Sequence, residues 1–335
     1  VSSIAKAKSV TWMIPVLNGM PYLPVTLASI ESQTFHDFDV TVWDNGSTDG
    51  TVEELRRWIP DRLPGKIVTD RPVPLGLSRA AMVAECETEL CALVDADDVN
   101  HPERLEKQVG FMEAHPEVAV LGTQINRLNS AGENLGPFSA YPLVHEEIVE
   151  EMLVSNPIAQ PSVLFRKSAV LAVGNYHDFS PTHVEDYDLW LRLAAKGYRL
   201  ANLPESLLGY RVHEKSTTQK SLAAQRLEDE VIRRLGEWSP ELFGCDAATT
   251  TLLRHRACKR AIIPLREIAA KLGASGSDPW KSPVFYKAAR RMIADRDIRS
   301  RLHAAMENGG LTGGVSELSR IATSAVRLIR RRLGV

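Results

Sequence analysis

Four short stretches of this sequence concentrate groups able to hold cations, move protons or order a charged ligand. Asp95-Ala96-Asp97-Asp98 places three carboxylates in four residues, directly after the apolar run Leu90–Val94. Like charges this close repel unless a cation or a donor compensates them. In extended backbone, residues two apart point the same way, so Asp95 and Asp97 converge on one ligand. Hard oxygen ligands of this kind suit Mg²⁺ or Mn²⁺ held jointly with substrate phosphates. The alternative is a solvated turn in which Asp98 caps a helix beginning near Pro102. The second stretch, Val184-Glu185-Asp186-Tyr187-Asp188, opens a helical pattern. The positive end of a helix dipole favours ionised carboxylates, so one of them can serve as a standing general base; plain N-capping is the alternative. His213 follows the apolar run Leu207–Val212 in a polar loop. There it either meets a metal or phosphate, or is incidental. Asp44 ends another buried run and either accepts hydrogen bonds from a base or ribose, or closes an Asx-turn with Asn45-Gly46.

These residues need elements to hold them. Val10–Val16, Phe38–Trp43, Lys66–Val68 and Leu90–Val94 read as strands, separated by helices over 22–33, Thr51–Trp58 and Ser78–Cys86. Thr51 with Glu54 spells a capping box, which also accounts for Ser47, Thr48 and Asp49 as turn and cap residues. Such alternation implies βαβ units and a mostly parallel sheet, with ligands beyond the carboxyl ends of the strands. Asp44 and Asp95 both fall at such ends. From about residue 100 to 215 the pattern mixes. It contains helix Pro102–Ala114, strand Val118–Leu121, a hairpin turn at Ser130-Ala131-Gly132 and strand Ser162–Phe165. Helices Lys167–Val173 and Glu185–Lys196 follow, then strand Leu207–Val212. Beyond about 220 the chain reads as helical, so the expected division is an α/β domain over 1–218 and a helical C-terminal region over 219–335.

Composition bounds the class. The 335 residues are 44% hydrophobic and 24% charged, close to the globular average, which argues against a disordered or fibrous chain. With 40 basic against 42 acidic residues, the net charge of -2 offers no bulk attraction to nucleic acid. Cys86, Cys91, Cys245 and Cys258 form no CxxC pair. Neither a zinc cluster nor a disulfide framework is expected, and a reducing compartment is the default. No run approaches the roughly 20 apolar residues of a membrane span, and the start of the sequence lacks a signal-peptide core. The expectation is a soluble cytoplasmic protein. Its end carries Arg320, Arg327, Arg330, Arg331 and Arg332 beside an apolar stripe of Leu318, Ile321, Ala322, Ala325, Leu328 and Ile329. Residues 318–335 therefore either lie on an anionic membrane surface, making the protein peripheral at the inner membrane face, or pack as a terminal helix with a solvated face.

Several segments, in this order, resemble family 2 glycosyltransferases, inverting nucleotide-sugar-dependent enzymes of the GT-A fold. They are Ile14-Pro15-Val16-Leu17-Asn18-Gly19, Ser29–Thr34, Trp43–Thr51, Leu93–Asp98 with His101–Leu105, and Glu185–Leu193 with the His213 segment. The resemblance spans about residues 8–218. It implies an α/β fold with a mostly parallel, Rossmann-like mixed sheet flanked by helices. It also implies that Asp44 contacts the nucleobase, Asp95 the ribose or base side of the donor, and that Pro15 and Asn18 shape the pocket floor. Asp97 then belongs to the DXD element that binds the divalent cation, Mn²⁺ or Mg²⁺, with Asp98 in support and His213 near the metal or diphosphate. Asp186 becomes the catalytic base, and Glu185 orients it or the acceptor. Some positions depart from the family pattern: Asn45 stands where a second acid is frequent, Met82 where Asn is frequent, and Gln160 where His is common. Arg79, in the Gly76–Met82 segment, either contacts donor phosphate or snorkels from its helix.

The chemistry is coherent with these roles. Inversion requires a base on the acceptor side, opposite the departing diphosphate, and a cation on the leaving group. Two carboxylate clusters about 90 residues apart supply both, provided a folded crevice unites them. The expected partners are a nucleotide-sugar donor, of the UDP type, and a glycan or lipid-linked saccharide acceptor in polysaccharide biosynthesis, with no nucleic acid. A nucleotidyltransferase shares the sheet and the metal logic, and a non-catalytic nucleotide-sugar-binding scaffold subunit would bind without turnover. The acids at Glu185-Asp186 weigh against the former. The mutual repulsion of clustered carboxylates weighs against the latter.

Overall fold

A computed structural model of the chain describes residues 8–138, 140–153, 155–214, 224–248, 250, 251 and 254. Strand β1 (Val10–Val16) is buried along its whole length, as a strand covered on both faces must be. It pairs in parallel with β2 (Phe38–Asp44) on one side and with β4 (Leu90–Leu93) on the other, and β3 (Gly65–Val68) extends the sheet beyond β2. Helices α1 (Leu23–Glu31), α2 (Thr51–Trp58) and α3 (Leu75–Glu85) make the crossovers. Leu23, Leu27 and Ile30 of α1 recur at helical spacing and enter one core with Trp12, Ile14, Val40 and Val42. Each such side chain contributes roughly 1.5–3 kcal/mol on burial.

The sheet continues with β5 (Val99–Asn100), β6 (Val118–Leu128), β7 (Asn134–Pro137), β8 (Leu164–Arg166) and β9 (Arg199–Arg211), in the order β3-β2-β1-β4-β8-β6-β9-β5 with β7 on β6. The chain fills the sheet outward from β1 through β2 and β3, then returns to place β4 on the other side of β1. That reversal is a topological switch point, where the carboxyl ends of β1 and β4 diverge into a crevice. Pro15 sits at its edge. The β1–β4 ladder stops at Met13 and Leu93, with Val94 N–H donating to Met13 O at 3.3 Å, while Pro15 still pairs in register with Trp43 of β2. A residue without an N–H costs nothing on the side where pairing has already ended.

The other helices are α4 (Arg104–Ala114), α5 (His145–Met152), α6 (Lys167–Ala172), α7 (Glu185–Ala195), α8 (Ala224–Glu237) and α9 (Ser239–Phe243). Several elements differ from expectation. Strands β6 and β9 are longer than the runs Val118–Leu121 and Leu207–Val212, because their parallel pairing carries polar residues such as Asn126, Arg127 and Asn202 through the ladder. The expected hairpin turn is present, with Gly132 at φ +89° and its N–H on Asn129 O. Helix α5 was not expected, since only Ile148 and Met152 of its residues are buried, too sparse a stripe to stand out. Residues 160–162 form a 3-10 turn rather than the start of β8.

Two units are distinguished, divided between Arg234 and Leu235. In the second, Ser239 Oγ donates to Leu235 O, and Gly244 ends α9 in the left-handed region at φ +63°. The expected boundary at 218/219 and the basic segment 318–335 lie outside the described residues. Among those residues no helix is long and apolar enough to cross a membrane.

One close approach fixes the geometry of the crevice. A Cβ on Gly76, in the first turn of α3, would lie 2.2 Å from the carbonyl oxygen of His177, in the loop that leads into α7. Backbone against backbone leaves nothing flexible to yield. Gly76→Ala is therefore expected to lower the unfolding free energy by about 1–3 kcal/mol in urea titration; an unchanged midpoint would show that α3 and this loop are free to separate.

Candidate active site

The crevice is floored by two loops that hold each other. Asn18, at φ +55°, accepts the N–H of Thr48 on its Oδ1 at 2.9 Å, and its own N–H donates to Ser47 Oγ at 2.7 Å. Gly19 N–H donates to Thr51 Oγ1 at 2.8 Å and Met20 N–H to Asp49 Oδ2 at 2.9 Å. These bonds correct the capping-box expectation. The helix N-cap is Gly50, in the left-handed region; Asp49 Oδ1 accepts the Thr51 N–H at 3.1 Å, and Glu54 turns to Arg57 and Trp58 instead of back to the helix start. Ser47 and Asp49 are thus latch residues as much as turn residues.

Asp44 is 2% exposed, and its carboxylate accepts the N–H groups of Gly46 and Ser47 at 3.0 and 3.1 Å. This is the Asx-turn alternative, and it shapes the loop that Asn18 then grips. Asn45 Oδ1 accepts the N–H of Val73 and its Nδ2 reaches Ser78 Oγ at 3.4 Å, so the amide bridges this loop to the start of α3. A carboxylate at position 45 could not donate to Ser78, which gives the departure a physical reason.

Residues 95–98 form a turn, with Asp98 N–H on Asp95 O at 3.2 Å. They are not extended as expected, and the three carboxylates diverge. Asp98 is fully buried, accepts the Arg211 N–H at 2.8 Å on Oδ1 and leaves Oδ2 without a partner. It caps no helix. Burial, reinforced by Asp97 and Asp95, pushes its pKa well up. Asp97 Oδ2 lies 2.8 Å from His213 Nε2, and its backbone oxygen accepts from Arg211 Nε. The His213 ring packs against Tyr22 at a tilt of 46°, with centroids 4.6 Å apart, and the Arg211 guanidinium covers the same Tyr22 ring. Strand β9 therefore delivers His213 to the carboxylate turn.

The N-cap of α7 is Val184, which makes no side-chain cap bond; of the acids, Asp186 takes the first-turn N–H of Tyr187. Glu185 is 3% exposed and pairs with Arg79, whose other terminal nitrogen reaches Asp95 Oδ1 at 3.3 Å. Arg79 is itself 4% exposed, which overturns the snorkelling alternative; both Nη atoms are engaged by carboxylates and Nε has no partner. Burial acts against its charge, yet Glu185 and Asp95 outweigh burial and raise its pKa. Burial likewise raises the pKa of Asp95, Arg79 opposing and Asp97 adding to it. One buried cation thus joins the two acidic clusters.

Asp186 remains partly exposed. Its Oδ1 accepts the Tyr187 N–H and its Oδ2 accepts Asn156 Nδ2, both at 2.7 Å. Burial and the neighbouring Glu185 push its pKa up to about 7, against the Tyr187 and Asn156 donors and Arg79. Asn156 stands beside Pro157 in sequence. The Asn-Pro pair marks a loop, but nothing local shows that its amide meets α7. Gln160 donates to Tyr176 Oη at 3.0 Å, and Met82 is buried in the core. Two residues beyond Asp186, buried Asp188 gathers Arg192, Arg234 and, at 3.3 Å, His177, which fixes the start of α7.

Among the described residues no three His, Cys, Asp or Glu side chains form a metal cluster. The donor set that is present, Asp97 beside His213 with Asp95 close by, suits a cation that takes its remaining ligands from substrate phosphates.

Family models match this chain over residues 11–168 (Glycosyl transferase family 2) and 90–277 (Glycosyl transferase family group 2). The amylovoran biosynthesis glycosyltransferase AmsE of Erwinia amylovora is 33% identical over 187 residues, 55% of this chain and 68% of that protein. The O-antigen biosynthesis glycosyltransferase WbnJ of Escherichia coli is 33% identical over 205 residues, 60% of this chain and 79% of its own. Among solved structures, S. aureus TarS 1-349 in complex with UDP-GlcNAc superposes with a TM-score of 0.60 at 19% identity, covering 84% of this chain and 83% of that one. The last likeness is one of fold.

Removing one partner from a buried ion pair costs about 3–5 kcal/mol, whereas an exposed pair is worth under about 1 kcal/mol. Arg79→Ala is expected to fall in the first range in urea titration. Arg71→Ala, which breaks the half-exposed pair with Glu85, is expected in the second. Equal losses would mean that Arg79 is not the tie between the clusters.

Proposed function

Because the chain belongs to glycosyl transferase family 2, we propose that the switch-point crevice passes a sugar from a nucleotide-sugar donor, of the UDP type, to an acceptor hydroxyl with inversion. The chain is a glycosyltransferase with an α/β fold of the GT-A kind. Relatives named for amylovoran and O-antigen biosynthesis support a glycan or lipid-linked saccharide acceptor in polysaccharide assembly. The observation that carries the reading is the Glu185–Arg79–Asp95 bridge, which ties the start of α7, where part-exposed Asp186 sits, to the acidic turn after β4.

The residues divide the work as follows. The latched loops around Asn18 and Ser47, held by the Asp44 turn and backed by Pro15, receive the nucleotide. Asp95, kept in place by Arg79, faces the donor. Asp97 and His213 are the protein ligands for a divalent cation, Mn²⁺ or Mg²⁺, and Asp98 holds the Arg211 backbone behind them. Once bound, that cation offsets the negative charge growing on the departing diphosphate. Asp186 takes the acceptor's hydroxyl proton. Tyr187 N–H and Asn156 Nδ2 each occupy one lone pair of its carboxylate, which leaves others for the incoming hydroxyl. Glu185 stays paired with Arg79, and its charge keeps Asp186 basic enough to accept that proton.

Asp186→Asn is expected to leave binding of UDP with Mn²⁺ near wild type while the transfer rate falls about 10²–10⁴-fold; normal turnover would remove Asp186 from the base role. The sign of the pH dependence follows from its raised pKa. Below about 7 the carboxyl is protonated and cannot accept a proton, and above it the base is free, so kcat/KM should climb through about pH 7 to a plateau. Arg79, Glu185, Asn156 and Tyr187 set that midpoint from α3, α7 and the 156 loop. Deleting the donor in Asn156→Ala disfavours the carboxylate further, and the rising limb should move to higher pH. A profile that stayed in place would show the amide to be structural only. For Asp97→Asn, calorimetry should show UDP binding that no longer tightens on adding Mn²⁺. Retained metal enhancement would place the cation elsewhere.

A further inference from the structure

At the opposite end of the sheet from the crevice, two thiols that the transfer chemistry does not use face each other. Cys86 follows the last residue of α3, and Cys91 is the second residue of β4. Cys91 Sγ donates to Cys86 Sγ at 3.5 Å, and Cys86 Sγ also lies 3.1 Å from Thr88 Oγ1. Thr88 Oγ1 is in turn 3.0 Å from Thr11 Oγ1 on β1, and Lys167 donates its ammonium to the Cys86 carbonyl oxygen. Both thiols are free. We propose that Cys86 and Cys91 form an oxidisable dithiol, in which a hydroperoxide attacks at Cys86 and Cys91 resolves the product to a reversible disulfide.

The pair is asymmetric in the manner such chemistry requires. The Cys91 hydrogen bond, helped by Thr11 and Thr88 and opposed by burial, brings the Cys86 thiol down to about 6. Burial pushes Cys91 well up. Cys86 keeps 6% exposure while Cys91 has none, so the thiolate is also the sulfur nearer to solvent. In the first step the Cys86 thiolate attacks one peroxide oxygen, the O–O bond breaks and hydroxide leaves, giving a sulfenic acid. Cys91 sulfur then attacks Cys86 sulfur, and its proton departs with the hydroxyl as water. The first hydroxide takes a proton from solvent. Two electrons pass from the two sulfurs to the peroxide, yielding one disulfide and two waters.

The bond would matter to the crevice. Closure to about 2.05 Å shortens the sulfur separation by roughly 1.5 Å. Arg79 lies seven residues before Cys86 along α3, roughly 10 Å. Asp95 lies four residues after Cys91, roughly 13 Å away in extended chain. The disulfide therefore joins the far ends of the two elements whose near ends meet in the Arg79–Asp95 pair.

The test treats the full chain with hydrogen peroxide and maps its peptides. A Cys86–Cys91 cross-linked peptide, lighter by about 2 Da and restored by dithiothreitol, is expected. In Cys91→Ser, dimedone should label a sulfenic acid at Cys86; in Cys86→Ser, Cys91 should stay reduced. Both thiols free in the treated wild type, or Cys91 oxidised in Cys86→Ser, would overturn the proposal, and the wild-type map decides even if a variant fails to fold. Resting on the nucleotide reading above, oxidation should also weaken UDP binding, measured with Mn²⁺ present, by about threefold or more and reversibly. Unchanged affinity in a fully linked sample would overturn the coupling to Arg79. A reduced protein that never binds UDP would overturn the nucleotide reading instead, leaving the thiol map to decide the dithiol.

Discussion

A guanidinium sealed between two carboxylates is the constraint on which the site depends. Arg79 on α3 meets Glu185 at the start of α7 and Asp95 after β4, with almost no access to water. Taking an arginine out of water costs several kcal/mol, and well-placed carboxylates return that energy only if the geometry is kept. The pair of acids therefore sets where α3 can lie, and Arg79 sets how near the acids can come. The bridge ties the two acidic clusters together, although 90 residues separate them in the chain.

The neighbouring interactions have the same logic of shared anchors. Arg211 donates through its backbone to Asp98 and through Nε to the Asp97 carbonyl, while its Nη1 reaches the carbonyls of Asn129 and Ser130 at 3.2 and 3.3 Å. One side chain thus fixes the acidic turn against the β6–β7 hairpin. Below it, Arg104 is buried over the Trp12 ring and donates to the carbonyls of Leu93 and Val163. Burial brings its pKa down to about 9, with Asp98 acting the other way. The polar network continues from the crevice into the core, so the site's geometry is backed by rigid elements.

Local patterns made much of this legible. The apolar runs of β1, β2 and β4, the α1 stripe and the Asp44 and Asp95 positions at strand ends were readable because period and turn chemistry are properties of neighbouring residues. Two contacts join residues far apart in the chain: Asp97 meets His213, and Glu185 meets Asp95 through Arg79. What stayed hidden was decided across long separations. Arg79 looked like a phosphate contact or a surface cation because its partners lie 16 and 106 positions away. Asn156 reads as an ordinary loop amide until α7 is placed beside it. Thr51 fits a capping box by spacing, and only the tertiary claim of Gly19 on its hydroxyl shows why the cap moved to Gly50. Local propensity lost wherever a distant backbone donor offered a better partner.

The latch between the first two loops has an evolutionary corollary. Four hydrogen bonds match residues 18, 19 and 20 to 47, 48, 49 and 51 almost one for one. Inserting or deleting a residue in either loop would slip that registration and forfeit several bonds together. Substitution at fixed length keeps it. A lineage built on this floor would diversify what it recognises by exchanging side chains there, and would place its length variation in other parts of the molecule.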